Sequence, residues 1–158
     1  MKIIIIRGSA GIGKTTIAKK LAKALNAEYF SFDAIMKENK IDTIIGDGIP
    51  AENFVKANEI LFPLIMSKDK VVLDGCFYRK KQIDHLLNKF KDNVYIFTLD
   101  ADINECLKRN KTRNNPMTEN SIRQVHQLVS NLQLGIKIKT DGKTVQEIVS
   151  EILNHFLE

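Results

Sequence analysis

Tryptophan is absent from the 158-residue chain, cysteine occurs twice and proline three times. The two cysteines, Cys76 and Cys106, stand far apart and form no CxxC, which excludes a disulfide scaffold and a cysteine-ligated zinc site. The apolar run nearest the N-terminus, Ile3 to Ile6, is cut off by Arg7. It is too short for the apolar core of a signal peptide or for a membrane span, so a soluble, cytoplasmic protein is expected. Aromatic residues make up only 7% of the chain and form no stripe interleaved with basic residues, so a nucleic-acid groove is not favoured. Internal repeats and low-complexity linkers are also missing, which points to one domain over residues 1–158.

What is present is ordinary globular material. Hydrophobic residues at 44% and charged residues at 27% exclude a disordered chain. A domain near this length buries about 70% of the surface its unfolded chain exposes, so no covalent staple is required. The formal net charge of +5 suits an anionic ligand and permits nucleic acid without requiring it.

Apolar patterning alternates between two periods along the chain. Lys2 to Ile6 reads as a strand covered on both faces, because its aliphatics run without a break. Ile17, Leu21, Ala24 and Leu25 then recur on one face of a helix. Further strands are expected over residues 28–32, 70–73, 94–99 and 136–139, the last half-exposed at a sheet edge. Helices are expected over residues 34–40, 51–67 with a break or kink at Pro63, 83–90, 102–113 and 118–133. A last helix begins at the capping box Thr144-x-x-Glu147 and turns Val145, Ile148, Val149, Ile152 and Phe156 inward. Strand–helix alternation over the whole length predicts an α/β fold around a parallel sheet. Ligands in such sheets sit beyond the carboxyl ends of the strands. That singles out residues 8–15, Asp33, Asp74, Asp100 and residues 140–142.

Gly8, Ser9, Ala10, Gly11, Ile12, Gly13, Lys14 and Thr15 match GxxxxGK[ST] at every fixed position, and Thr16 follows. A buried strand precedes the motif and an amphipathic helix follows it. Glycines let the backbone curl so that successive N–H groups face phosphate oxygens, and the helix adds unpaired N–H groups and a positive dipole end. Lys14 reaches β- and γ-phosphates, and Thr15 suits Mg²⁺. The string Asn110-Lys111-Thr112-Arg113 lacks the Asp of a guanine-binding motif. Val71-Val72-Leu73-Asp74 is followed by Gly75 rather than by the Glu that positions water in motor-type ATPases. A kinase therefore fits better than a GTPase or a motor. Asp33 suits a base beside the γ-phosphate or a contact to the acceptor, a reading preferred here to the plainer one of an N-cap for the helix after it, although the two are compatible. Asp74 suits a metal-bound water or the acceptor, and equally an Asp-Gly turn. His85, His126 and His155 are scattered and carry no assigned chemistry.

The phosphate loop, Phe32-Asp33, Val71 to Gly75, the pair Arg109 and Arg113, and Lys139-Thr140-Asp141-Gly142 together resemble the small kinases of the adenylate-kinase-like P-loop class. The closest likeness is to its acceptor-hydroxyl branch, which holds polynucleotide 5′-hydroxyl kinases, chloramphenicol phosphotransferase and gluconate-kinase-like enzymes. The resemblance implies a five-stranded parallel sheet ordered 2-3-1-4-5, helices on both faces, an acceptor region over about residues 34–66 and a lid over about residues 109–120. It also implies ATP and Mg²⁺, with Thr15 and Asp74 at the metal. By the same resemblance Asp33 activates the acceptor hydroxyl, Arg109 stacks on adenine, Arg113 touches the transferred phosphoryl and residues 140–142 pack its adenine edge. Where relatives place an Arg after that Asp, this chain has Met36.

Arginine placement bears on the acceptor. None falls between residues 34 and 70, where nucleoside-monophosphate kinases hold their monophosphate, and Arg79 is the one candidate close by. The expectation is an ATP- and Mg²⁺-dependent kinase acting on a hydroxyl-bearing small molecule or nucleoside, with Asp33, Asp74 and Arg79 near the acceptor. A nucleoside-monophosphate kinase, a polynucleotide 5′-hydroxyl kinase and a nucleotide-binding regulator without turnover stand as alternatives. Oligomeric state is left open.

Overall fold

The computed structural model describes residues 1–158. Four isoleucines in a row set the centre of the fold. In β1 (Lys2–Arg7) Ile3, Ile4, Ile5 and Ile6 are all fully buried, and alternate residues serve opposite faces of the sheet. Full burial of such a side chain contributes roughly 1.5–3 kcal/mol. The strand is central because only a position covered on both sides satisfies all four. Around it lie β2 (Glu28–Ser31), β3 (Lys70–Gly75), β4 (Val94–Asp100) and β5 (Ile136–Lys139). All are parallel, in the order β2-β3-β1-β4-β5. The expected order and the expected edge position of β5 are both observed.

Seven helices cover the sheet: α1 (Lys14–Leu25), α2 (Phe32–Glu38), α3 (Ala51–Ile65), α4 (Lys80–Phe90), α5 (Ile103–Asn110), α6 (Glu119–Asn131) and α7 (Val145–Leu157). Ile4 and Ile6 pack in one cluster with Ile17 and Leu21 of α1 and Ile148 and Ile152 of α7. Ile3 and Ile5 pack in the other with Phe54 and Leu61 of α3 and Ile83 and Leu86 of α4. Helix α6 touches both clusters, through Ile122 and Val129. The capping box at Thr144 and Glu147 is formed in both directions. No helix is long and apolar enough to cross a membrane.

Three local expectations are corrected. Pro63 does not break α3, which continues to Ile65: a proline this close to the end removes one N–H bond from a turn that is already closing. Helix α2 starts at Phe32, with Ser31 as its cap, since the Ser31 hydroxyl accepts the Ala34 N–H at 3.2 Å. Asp33 is therefore not the N-cap. Arg7 does more than end an apolar run. It is fully buried within β1.

The Arg7 guanidinium has no carboxylate partner. It donates to Phe77 O at 3.3 Å, Thr98 Oγ1 at 3.0 Å, Leu132 O at 2.8 Å and Val129 O at 3.3 Å. Burial pulls its pKa down to about 10, which still leaves it charged at neutral pH. Phe77, at φ 49, holds a left-handed conformation costly for an aromatic residue. The Arg7 bond and an edge-on contact with Phe32 at 4.8 Å keep it there. Arg7→Lys keeps the charge but loses the planar fork, leaving buried carbonyls unpaired. A loss of about 2–4 kcal/mol is expected in urea unfolding, with an unchanged slope. A loss within about 0.5 kcal/mol, the scale of an ordinary surface change, would mean that α6 is held by something else.

Candidate active site

The loop between β1 and α1 has a backbone that only glycine suits at two points. Gly11 has φ 79 and Gly13 has φ 94. A Cβ at Gly11 would also stand 2.6 Å from Cys106 O. The loop thus closes against α5, and Gly13 caps α1 without a side chain. Ala10, Gly11, Gly13, Lys14, Thr15 and Thr16 form one wall of an open cavity of about 530 Å³. Met36 of α2, Phe54 of α3, Tyr78, Arg109 of α5, Arg113 and Gln124 of α6 also line it. Ile44, 60% exposed, lines it from the segment between α2 and α3.

Four titratable groups crowd this space. Lys14 Nζ donates to Ser9 O at 2.9 Å. Burial opposes its charge, yet its acidic neighbours, Asp33 and Asp74 among them, outweigh that and hold its pKa above the ordinary lysine value, with Arg113 pushing back. Asp33 faces the same cavity. Loss of surrounding water raises its carboxyl above the usual range, against the pull of Lys14; Asp74 adds to the rise and Arg113 opposes it. Cys76 lines the cavity too. Burial pushes its thiol up despite Lys14, so at neutral pH it stays protonated and unreactive.

Asp74 ends β3 and is 3% exposed. Its Oδ2 accepts from Thr15 Oγ1 at 2.8 Å and from Tyr29 Oη at 2.8 Å. Burial and the bond to Asp74 drive the Tyr29 hydroxyl far above its ordinary pKa, so it remains a donor. The Thr15–Asp74 pair offers hard oxygen donors, which is what Mg²⁺ takes. No three His, Cys, Asp or Glu side chains converge to hold a metal by themselves.

Arg109 Nη1 donates to Ile12 O at 3.1 Å. With Asp102, Glu105, Asp141 and Gly142 it borders a second open cavity, of about 380 Å³. Asp141 Oδ2 accepts from Asp102 N at 3.1 Å. Arg113 is exposed at the mouth of the main cavity.

The other singled-out residues lie elsewhere. Thr140 is buried and donates to Asp100 O at 3.3 Å. Gly8 is packed against Leu99, and Ser9 and Ile12 border a separate cavity of about 310 Å³ beside β4. Arg79 does not line the main cavity. It is tied to Asp47 and to Ile49 O, at 2.7 Å and 3.0 Å.

Two residues at the site escape sequence reasoning. Tyr29 sits mid-strand with no motif around it. Asn110 is 5% exposed and pins the loop after α5 from both sides, donating to Met117 O at 2.8 Å and accepting from Met117 N at 3.0 Å. A buried Asn beside a basic cluster was its only signal.

Comparison with known proteins gives the family. The profile of a family described as AAA domain matches residues 3–134. The chain belongs to this family of P-loop kinases. It is 30% identical to a protein named as an adenylate kinase in Pyrococcus furiosus, over 96% of this chain and 82% of that relative. It is 28% identical to a shikimate kinase of Sulfurihydrogenibium, over 97% of this chain and 96% of that one. A gluconokinase from Sinorhizobium meliloti shares the fold with TM-score 0.75 at 14% identity, over 99% of this chain and 91% of the other. The protein is thus a phosphotransferase with the nucleotide-binding loop of its family.

Because the folded state holds the Asp33 proton more tightly than the unfolded chain does, an ionised Asp33 costs stability. The cost is absent below the ordinary aspartate pKa of about 4 and grows as pH rises through the higher folded value. Asp33→Asn is therefore expected to raise the melting temperature at pH 8, and the gap should close below about pH 4. A variant that melts lower than wild type at pH 8 would show that its attraction to Lys14 and Arg113 outweighs desolvation.

Proposed function

We propose that the kinase transfers the γ-phosphoryl group of ATP to a hydroxyl of a small molecule. The observation that carries the proposal is that Asp33 and Lys14 line one cavity, while Arg79 stays outside its lining, bonded to Asp47. Asp33 orients the acceptor hydroxyl and takes its proton as the new O–P bond forms and the bond to the ADP oxygen breaks. A carboxyl held above the usual range suits a base that must bind a proton and give it up again. Lys14, Arg109 and Arg113 neutralise charge on the phosphates, where preorganised cations contribute most. Ser9 O is the present partner of Lys14, a weak one that phosphate oxygens displace.

Mg²⁺ bound near Thr15 and Asp74 supplies charge neutralisation at the phosphates. Tyr29 holds the Asp74 carboxylate from the other side. The cavity beside Arg109, Asp141 and Gly142 takes the adenine, with Arg109 stacking on the ring. The loop pinned by Asn110, within about residues 109–120, serves as the lid.

A second reading, phosphoryl transfer to a nucleoside monophosphate, is favoured by the naming of the Pyrococcus furiosus relative. The engagement of Arg79 by Asp47 argues against it. The test is purified protein with γ-labelled ATP, Mg²⁺ and separate acceptors: nucleosides, nucleoside monophosphates, sugars and sugar acids, amino sugars and 5′-hydroxyl oligonucleotides. Label is expected on a hydroxyl. Lys14→Met and Asp33→Asn should each lower turnover by roughly 10²-fold or more. The acid limb of kcat/KM should lie above the ordinary aspartate range and vanish in Asp33→Asn. Label on a monophosphate would move the assignment to the second reading. ATP binding with no acceptor labelled would point to a nucleotide-binding regulator.

A further inference from the structure

The charges that line the main cavity fall into two groups. Its cations, Lys14, Arg109 and Arg113, are those assigned above to the phosphates. Asp42 and Asp47, from the segment between α2 and α3, also line it, together with the apolar side chains of Met36, Ile44 and Phe54. Arg79 does not line the cavity, and each of its three guanidinium nitrogens is engaged. Nη2 and Nη1 bond the two oxygens of Asp47 at 2.7 Å and 3.4 Å, and Nε bonds Ile49 O at 3.0 Å. Its plane is further held over the Tyr78 ring at 5.1 Å. Gly48 presses on the pair so closely that a Cβ there would lie 3.2 Å from Arg79 Nη2 and 2.8 Å from Tyr78 Oη. The loop carrying Asp47 thus keeps Arg79 neutralised and behind the cavity wall. Tyr78 Oη accepts from Ile49 N at 2.9 Å, so its own O–H remains to be donated.

We propose that the acceptor carries no anionic group: it is an uncharged or amine-bearing alcohol with an apolar body, and the Asp47–Arg79 pair sets this preference. The inference rests on the hydroxyl-kinase reading and narrows it. With Lys14, Arg109 and Arg113 taken by the phosphates, a carboxylate or phosphate on the acceptor would meet the Asp42 carboxylate and find no free cation. An amine would meet the Asp42 carboxylate, a neutral polar group the Tyr78 hydroxyl, and the apolar body Met36, Ile44 and Phe54. A charge-assisted bond that is missing reads as about tenfold or more in affinity.

The test uses acceptor pairs matched in shape and different in charge: shikimate and its methyl ester, gluconate and glucose with glucosamine, and a carboxylated and an uncarboxylated nucleoside. Binding to the full-length protein saturated with ADP and Mg²⁺ is measured by saturation-transfer NMR and calorimetry, alongside phosphoryl transfer from ATP. The uncharged or amine member is expected to bind at least about tenfold more tightly. Asp47→Ala, which leaves Arg79 only the Ile49 carbonyl, should gain at least about fivefold for the anionic members, and the double change with Arg79→Met should lose that gain. A wild-type protein that prefers an anionic member, or a panel in which no pair separates, overturns the proposal. So does an Asp47→Ala protein with no gain. Phosphorylation of an anionic acceptor would overturn this inference and leave the hydroxyl-kinase reading standing. Failure of Asp33→Asn to lower transfer would instead strike at that reading and leave the charge preference measurable by binding.

Discussion

The carboxyl edge of the sheet depends on one buried guanidinium. Arg7 ties together the turn after β3, the end of β4 and the last carbonyls of α6 through four hydrogen bonds. Helix α6 buries only Ile122 and Val129, so packing alone anchors it thinly. Its neighbours in the chain are the loop that carries Arg113 and the strand β5. A charge without a counter-ion is costly inside a protein, and satisfying most of its donors is what makes it tolerable. The same atoms hold Phe77 in a left-handed turn, which sets the direction of Cys76 and Tyr78 at the cavity wall.

A second constraint is electrostatic crowding next door. Lys14, Asp33, Asp74 and Cys76 stand close together, and burial and the neighbouring charges shift the proton affinities of Lys14, Asp33 and Cys76. Lysine gains from this company and aspartate loses. The lysine is thereby kept charged for phosphate, while the aspartate is kept more basic than it is in water. Both effects suit phosphoryl transfer, and the second is a local instability that the rest of the core has to offset.

Much of this was legible beforehand because it depends on local pattern. A run of isoleucines can only be a buried strand, and GxxxxGK[ST] can only be placed after such a strand and before a helix. Alternation of the two periods then dictates a parallel sheet. The likeness carried by the phosphate loop, Asp33, Asp74 and the two arginines supplied the strand order. Errors fell where a local cue competes with a neighbour. Asp33 is a good cap, but Ser31 took that place two residues earlier. Pro63 is a strong breaker, but it falls within a turn that was about to end.

The sequence by itself determined the sheet, its central strand, the phosphate loop and the family, since each follows from residue order over a few consecutive turns. Only the tertiary structure decided which charges meet. It turned Arg79 toward Asp47 and away from the cavity, gave Asp74 a second donor in Tyr29, closed the loop after α5 through Asn110 and made Arg7 a clasp. The physical reason is that polar side chains are long, rotatable and short in range. Their partners come from elements far apart in the chain, so no periodicity records them until the sheet has brought those elements together.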